Sequence, residues 1–154
     1  MNHRLINRCV IVLAIVLAGV LLLWATHFLP AVTADDAKKK SEPSLNEKLI
    51  GTWILVGRPG QVTEPPKAGG MLKFITGKHW CITQADPRTS KVGLHHGGTY
   101  TLDGDKYVET VEYANESTIS MLQQKLTFTV KVDGDTCTQT GIGNPYTQVW
   151  KRLK

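Results

Sequence analysis

The sequence lacks most of the patterns that would assign a chemistry. Its formal net charge is +5, but the basic residues are scattered and not gathered on one face with aromatic side chains, so we expect no nucleic-acid binding. The glycine-rich stretches at 57–60 and 68–70 are loops without the strand-to-helix context that a phosphate-binding loop requires. No motif for nucleophilic catalysis is present. We therefore predict no catalytic residue and no cofactor.

A helical repeat is also missing from most of the chain. From Gly51 onward the apolar residues alternate with a period of two, which is the period of a half-buried strand. Eight strands are predicted, at Thr52–Gly57, Met71–Ile75, Lys78–Thr83, Gly98–Leu102, Lys106–Tyr113, Lys125–Val132, Thr136–Thr140 and Gln148–Leu153. Short sequential strands joined by tight turns favour an all-β, eight-stranded up-and-down antiparallel barrel, with a flattened sandwich as the alternative.

The N-terminal part has a different character. The segment 2–8 is short and basic, and the segment 9–24 that follows it is almost wholly apolar. Small residues then occur at Val32 and Ala34. This pattern predicts a signal peptide at 1–34, or an uncleaved membrane anchor that uses residues 9–29. Either would make the protein extracytoplasmic (secreted or periplasmic), and contact with a membrane would be limited to this segment.

A charged stretch and a helix start separate this segment from the strands. Residues 35–43 hold many charges and few apolar side chains, so we predict a flexible linker. Ser44 and Glu47 have the spacing of a capping box, which predicts one or two helical turns over 44–49. The barrel domain is therefore predicted to span 44–154.

Two Asp-Gly pairs fix the expected faces of the strands. If Asp103-Gly104 and Asp133-Gly134 are two-residue hairpin loops, Tyr100 is opposite Tyr107 and Phe128 is opposite Gln139. The inward residues of these strands are then predicted to be Tyr100, Leu102, Tyr107, Glu109, Val111, Tyr113, Leu126, Phe128, Val130 and Val132. A loop at Thr76-Gly77 would pair Phe74, taken as inward, with His79, and a bulge is predicted there because Trp80 and Ile82 form the more apolar face.

Gly51-Thr52-Trp53 on the first strand, after a short helical turn, resembles the Gly-x-Trp signature of the lipocalins. Trp150-Lys151-Arg152 on the last strand resembles their closing segment, in which a basic side chain packs over that tryptophan. The stretch from Gly97 to Thr110 is similar to the small bacterial lipocalin-like domains, which have a calycin-type β-barrel. The resemblance implies structural roles for Gly51, Trp53, Trp150 and Arg152, and an interior that holds a small apolar molecule.

Glu109 is the unusual residue of the predicted interior, since an unpaired carboxylate would be costly to bury. With Tyr100, Tyr107 and Gln139 it could form a polar spot that orients a ligand. Alternatively it lies near the rim, or pairs with Arg58 or Arg152 as an internal strut. The candidate cavity residues are Tyr100, Tyr107, Glu109, Tyr113, Phe128 and Gln139.

The histidines and cysteines carry weaker signals. His95 and His96 are adjacent, so they would point to opposite faces of a strand and would not share a metal ion. They precede two glycines, so we predict a loop with exposed histidines and no metal site. Cys81 and Cys137 fall on the third and seventh strands, too far apart for a disulfide, and are predicted to be buried free thiols.

Three functions remain open from the sequence. The first is non-enzymatic binding of a small hydrophobic ligand inside the barrel. The second is a structural or interaction module whose barrel is filled by its own side chains. The third is an enzyme that uses Glu109 and a tyrosine for proton transfer. The sequence does not indicate an oligomeric state.

Overall fold

The structure, a computed structural model, describes residues 41–154. The predicted signal or anchor segment at 1–34 and most of the predicted linker lie outside the described residues, and the division into these domains stays a prediction. Within the described part, no helix is long and apolar enough to cross a membrane. Residues Glu42–Lys154 form one compact unit.

The unit begins with the predicted helix start. Helix α1 (Leu45–Leu49) carries a complete capping box. The Glu47 N–H donates to the Ser44 hydroxyl (3.3 Å), and the Ser44 N–H donates to the Glu47 carboxylate (2.7 Å). Two N–H groups that the first turn would leave free are thus satisfied. Leu49 at the end of α1 is fully buried, so the helix is packed onto the barrel at its last residue.

The strands close into the predicted barrel. They are β1 (Gly51–Arg58), β2 (Gln61–Val62), β3 (Leu72–Ile75), β4 (His79–Ala85), β5 (Val92–Asp103), β6 (Lys106–Ala114), β7 (Lys125–Asp133), β8 (Thr136–Ile142) and β9 (Gln148–Arg152). All neighbours are antiparallel, and β9 returns to pair with β1. Eight strands therefore form a closed up-and-down barrel, and β2 is a two-residue addition to the end of β1.

The barrel has two different ends. One, which we call the helix end, carries α1 and the three tight turns β3–β4, β5–β6 and β7–β8. The other, the loop end, carries the longer connections, including a 3₁₀ helix at Glu116–Met121 that joins β6 to β7. The 3₁₀ helix and β2 were not predicted, because segments this short have no recognisable period.

The tight turns lie one residue later than predicted. Asp103 pairs with Lys106 and Asp133 pairs with Thr136, so each loop begins with the glycine. Gly104 and Gly134 have φ near +58° and +56°, and glycine at the first loop position suits a turn that needs positive φ only there. Each pairing moves by two positions along the partner strand, which leaves every predicted face unchanged.

The β3–β4 turn is displaced in the same way, and again the residues that share a face are unchanged. Ile75 pairs with Trp80, and no bulge interrupts β3 and β4, so the predicted bulge is wrong. Phe74 is 36% exposed, whereas Lys73 is 1% exposed. The prediction assumed that the aromatic residue of this strand faces inward, but alternation with buried Ile75 places the lysine inside instead.

A bulge occurs elsewhere, between β5 and β6. Gly98 pairs with Val111 and Gly97 with Tyr113, so Glu112 is the extra residue. A Cβ on Gly98 would overlap the Thr110 carbonyl oxygen, so only glycine permits this close approach of the strands. The bulge ends the alternation after Val111, and Tyr113 is 44% exposed. Its predicted inward position is wrong for that reason.

The helix end is sealed around Trp53. Its indole N–H donates to the Leu49 carbonyl (2.8 Å), and the Arg152 guanidinium lies 4.1 Å from the ring centroid. Arg152 also donates to the carbonyl oxygens of Ile50 and Lys48. A Cβ on Gly51 would overlap this guanidinium. The predicted packing of a basic side chain over the Gly-x-Trp tryptophan is therefore present.

Candidate ligand-binding cavity

A buried ion pair occupies the centre of the barrel. The Lys73 ammonium on β3 contacts the Glu109 carboxylate on β6, and both side chains are 2% exposed. The same ammonium donates to Gln139 Oε1 on β8 (2.8 Å). Three strands on different sides of the barrel are thus joined through one cation. Glu109 is paired as an internal strut, which was one of the predicted alternatives. Its predicted partners, Arg58 and Arg152, are wrong, because the cation inside the barrel is Lys73.

Aromatic rings surround this cation. Its ammonium lies 5.3 to 5.9 Å from the ring centroids of Trp80, Tyr107, Phe128 and Trp150. Each contact within about 6 Å is attractive, and the attraction increases when water is excluded. These contacts and the ion pair offset the large cost of removing an ammonium from water. The rings also fill most of the barrel below the loop end.

A cavity of about 200 Å³ remains in the half of the barrel nearer the loop end. Its walls come from strands and from the loop-end connections, including the 3₁₀ helix. They are mainly apolar. The lining residues are Met71, Ile82, Leu94, His96, Glu109, Met121, Leu126, Phe128, Tyr146 and Gln148. A cavity of about 150 Å³ lined by apolar side chains is large enough for benzene, so this one can hold a molecule of about one substituted ring.

His96 is the second polar group of the cavity. It lies on β5, not on a loop, and is 5% exposed. Its ring packs edge-on against Trp80, with centroids 5.5 Å apart, and its Nδ1 has no hydrogen-bond partner among residues 41–154. Burial, and next the positive charge of Lys73, lower the pKa of His96 to about 4. The imidazole is therefore neutral at pH 7.

The prediction of exposed loop histidines is wrong for His96, because β5 begins at Val92 and continues through both histidines. His95 lies on the other side of the strand, where its ring stands 5.6 Å from that of Tyr113. The expected opposite orientation of the two residues is thus observed. Among the described residues, no group of three or more metal-ligating side chains is placed to hold an ion.

The predicted cavity residues separate into four positions. Glu109 and Phe128 line the cavity. Tyr107 and Gln139 lie beneath it, around Lys73. Tyr100 lies near the helix end, where its hydroxyl donates to the Thr76 carbonyl (2.7 Å). Tyr113 is outside. The six residues therefore do not form one site, and their role in ligand binding stays a prediction.

The buried tyrosine beside Glu109 is a poor proton donor. Burial, and next the nearby Glu109 carboxylate, raise the pKa of Tyr107 well above its usual value. Glu109 is already engaged by Lys73. A general acid and base should have pKa values near the working pH and reach the substrate. This pair fits poorly with the proton-transfer enzyme that the sequence left open.

Both cysteines in the described part of the chain, Cys81 and Cys137, are free thiols. Cys137 is buried, whereas Cys81 is only partly buried. Burial raises the pKa of Cys137 to about 11, and burial also raises that of Cys81. Neither is therefore an activated nucleophile.

Sequence reasoning missed Lys73, His96 and the apolar lining from Met71, Leu94 and Met121. For Lys73 a signal was available, since Lys73 and Ile75 share the apolar face of Trp80 and Ile82 with the predicted turn as well as with the observed one. For Met121 no periodic signal exists, because it lies in the 3₁₀ helix.

Comparison with known proteins supports the fold. No protein-family model matches the sequence, and no curated protein is similar to it. A lipocalin-like protein from Bacteroides uniformis has a similar structure, with a TM-score of 0.51 at 12% identity, over 69% of this chain and 99% of that one. An uncharacterized protein from Bacteroides eggerthii gives 0.48 at 12% identity, over 68% and 98%. At such identity the first likeness concerns the fold alone. The protein has a lipocalin-like barrel fold.

Proposed function

We propose that this lipocalin-like barrel is a non-enzymatic binding protein that takes one small, largely apolar molecule into its cavity. The cavity of about 200 Å³ carries this proposal. It combines mainly apolar walls with a few polar groups, of which Glu109 and His96 are buried, and this is the usual composition of small-molecule sites. Its volume is below the range of drug-sized pockets, about 300–1,000 Å³, so the ligand is small.

The alternative of a filled barrel agrees with the other half of the interior. Around Lys73 the rings of Trp80, Tyr107, Phe128 and Trp150 leave a packed centre. Binding is therefore proposed only for the half nearer the loop end. The basic and apolar N-terminal segment supports an extracytoplasmic place of action, with the ligand taken up outside the cytoplasm.

Methionine methyl groups offer a direct test. The chain contains three methionines, of which Met71 and Met121 line the cavity. We would label the full chain with ¹³C-methyl methionine and titrate it with toluene. Saturable shifts of the Met71 and Met121 signals, with none at Met1, are the expected result.

Two variants serve as controls. Leu126→Phe places an aromatic ring at a residue that lines the cavity, and it should reduce the methionine shifts because the larger side chain fills part of the cavity. Ile142→Phe adds the same ring at a residue that is 48% exposed and does not line the cavity, so it should leave the titration unchanged. Absence of any saturable shift in the native chain, with toluene or with the probes described below, would refute binding in the barrel.

A further inference from the structure

The polar part of the cavity restricts the charge of its ligand. Among the ten residues that line it, Glu109 is the one with a formal charge at neutral pH. Lys73, which balances that charge, is not one of the lining residues, since it stands behind Glu109 among the aromatic rings. A bound molecule therefore meets the carboxylate before it meets the ammonium. An anion would face the negative end of this ion pair and would lose its hydration without gaining a cation in exchange.

A cation would gain little in return. Glu109 is already in contact with Lys73, so the pair is neutral as a whole. A second ammonium would lose its hydration and share a carboxylate that is already neutralised. A neutral molecule avoids both costs.

Four polar side chains line the cavity; Tyr146 and Gln148 are the less buried ones, and the two buried ones, His96 and Glu109, both offer an acceptor atom. Neutral His96 has one nitrogen that accepts and one that donates; in the tautomer with the proton on Nε2, the buried Nδ1, which has no partner in the described part of the chain, is the acceptor. The Glu109 carboxylate is acceptor-only when ionised. A ligand that brings an O–H or N–H group can satisfy these atoms, and a buried polar group left unsatisfied costs about 1–3 kcal/mol.

Size narrows the ligand further. A cavity of about 200 Å³ is only slightly larger than the roughly 150 Å³ that accommodates benzene. A long-chain fatty acid has several times as many carbon atoms as benzene, and its carboxylate would face Glu109. Both the size of the cavity and the charge of Glu109 therefore argue against long-chain fatty acids as ligands.

We propose that the cavity selects a small neutral molecule, about one substituted ring in size, that carries a hydrogen-bond donor, and that it excludes carboxylates. This inference rests on the proposed function and goes beyond it by naming the ligand class. The donor contacts His96 or Glu109, and the ring contacts the methionine and leucine side chains of the wall.

A series of probes of nearly equal size tests the inference. Phenol, toluene, benzylamine and benzoate would each be titrated into the labelled full chain, with the Met71 and Met121 signals as the readout. We expect phenol to bind about fivefold more tightly than toluene, the effect of one additional hydrogen bond. Benzoate and benzylamine should bind at least about tenfold more weakly than toluene, because each must bury a charge.

The outcomes are distinct. If toluene or phenol binds but benzoate or benzylamine binds as tightly as phenol, the inference is wrong and the proposed function stands. If toluene and phenol bind equally, the donor requirement is wrong. If no probe shifts either cavity methionine, both the proposed function and the inference are refuted.

The source of the discrimination can be assigned with variants. The double variant Lys73→Met/Glu109→Gln removes both charges together and leaves no unpaired ion. It should bind benzoate more tightly than the native chain does, although still less tightly than toluene, because benzoate must bury its own charge in either chain. His96→Leu should reduce the preference for phenol over toluene while it retains toluene binding. Unchanged rejection of benzoate in a folded double variant would overturn the role assigned to Glu109.

Discussion

The two ends of this barrel are built in different ways. At the helix end Trp53 is 1% exposed, its N–H is hydrogen-bonded, and an arginine covers its face. At the loop end mainly apolar side chains surround a cavity, and the buried His96 has a nitrogen without a hydrogen-bond partner among residues 41–154. The helix end is thus closed by packed and hydrogen-bonded side chains, and the loop end contains the cavity.

The Lys73–Glu109 pair lies at the boundary between these regions. Below it the interior is filled with aromatic rings, and above it the cavity begins. A buried pair of this kind contributes little net stability when compared with apolar residues of similar volume. It does place a carboxylate at the floor of the cavity, which an apolar pair would not.

Truncating one side chain at each end should give the largest difference in the free energy of unfolding. We expect Trp53→Ala to lower the free energy of unfolding by about 3–5 kcal/mol, since it leaves a large cavity and frees the Arg152 guanidinium. Met121→Ala, at the loop end, should cost only about 1 kcal/mol, because its side chain is half-buried and already borders a cavity.

Urea unfolding, followed by circular dichroism, measures both values. Phe74→Ala, an apolar truncation at the outer surface, is the control and should cost less than either. Equal losses for Trp53→Ala and Met121→Ala would contradict the difference between the ends.

The boundary pair should come next in magnitude. Lys73→Met leaves the Glu109 carboxylate buried without its cation, and breaking one side of such a pair costs about 3 kcal/mol or more. The double variant Lys73→Met/Glu109→Gln should recover most of that loss, because no ion is then left unpaired.

A double-mutant cycle on the free energies of unfolding isolates the coupling. The double variant should be at least about 2 kcal/mol more stable than the sum of the two single losses implies. Simple additivity would mean that the two charges do not interact, in conflict with their contact.

The barrel could be predicted from the sequence because the alternation of apolar and polar residues shows the buried face of most of its strands. An error of one residue in each tight turn was harmless, since the pairing moved by two positions and every face was kept. The helix-end seal was predicted from the resemblance of Gly51, Trp53 and Arg152 to the lipocalin signature, and these residues lie on strongly patterned strands. These positions depend on local sequence.

The candidate site depends on features that a period of two does not record. The bulge at Glu112 reverses the side of Tyr113, and its cause is the contact between Gly98 and the Thr110 carbonyl across two strands. Lys73 was missed because a lysine in a strand is normally taken as solvent-facing. The cavity is enclosed by side chains from several strands and from the 3₁₀ helix, so no single segment of the sequence predicts it.

The smallest expected effect concerns His96 and pH. Its pKa is about 4 in the fold and about 6.5 in the unfolded chain, so between these values the unfolded state binds more protons. The stabilising contribution is complete above pH 6.5 and is lost as the pH falls toward 4. The full difference corresponds to about 3 kcal/mol, and we expect about 2 kcal/mol because the imidazole borders a cavity that water can enter. Unfolding by urea at pH 7.0 and pH 4.5 measures this loss, with His96→Phe as the matched control. The control should lose less stability over the same interval, since its ring cannot bind a proton. The same loss in both chains would show that other groups cause the acid sensitivity, and that the free imidazole nitrogen at the loop end is not the vulnerable point of the barrel.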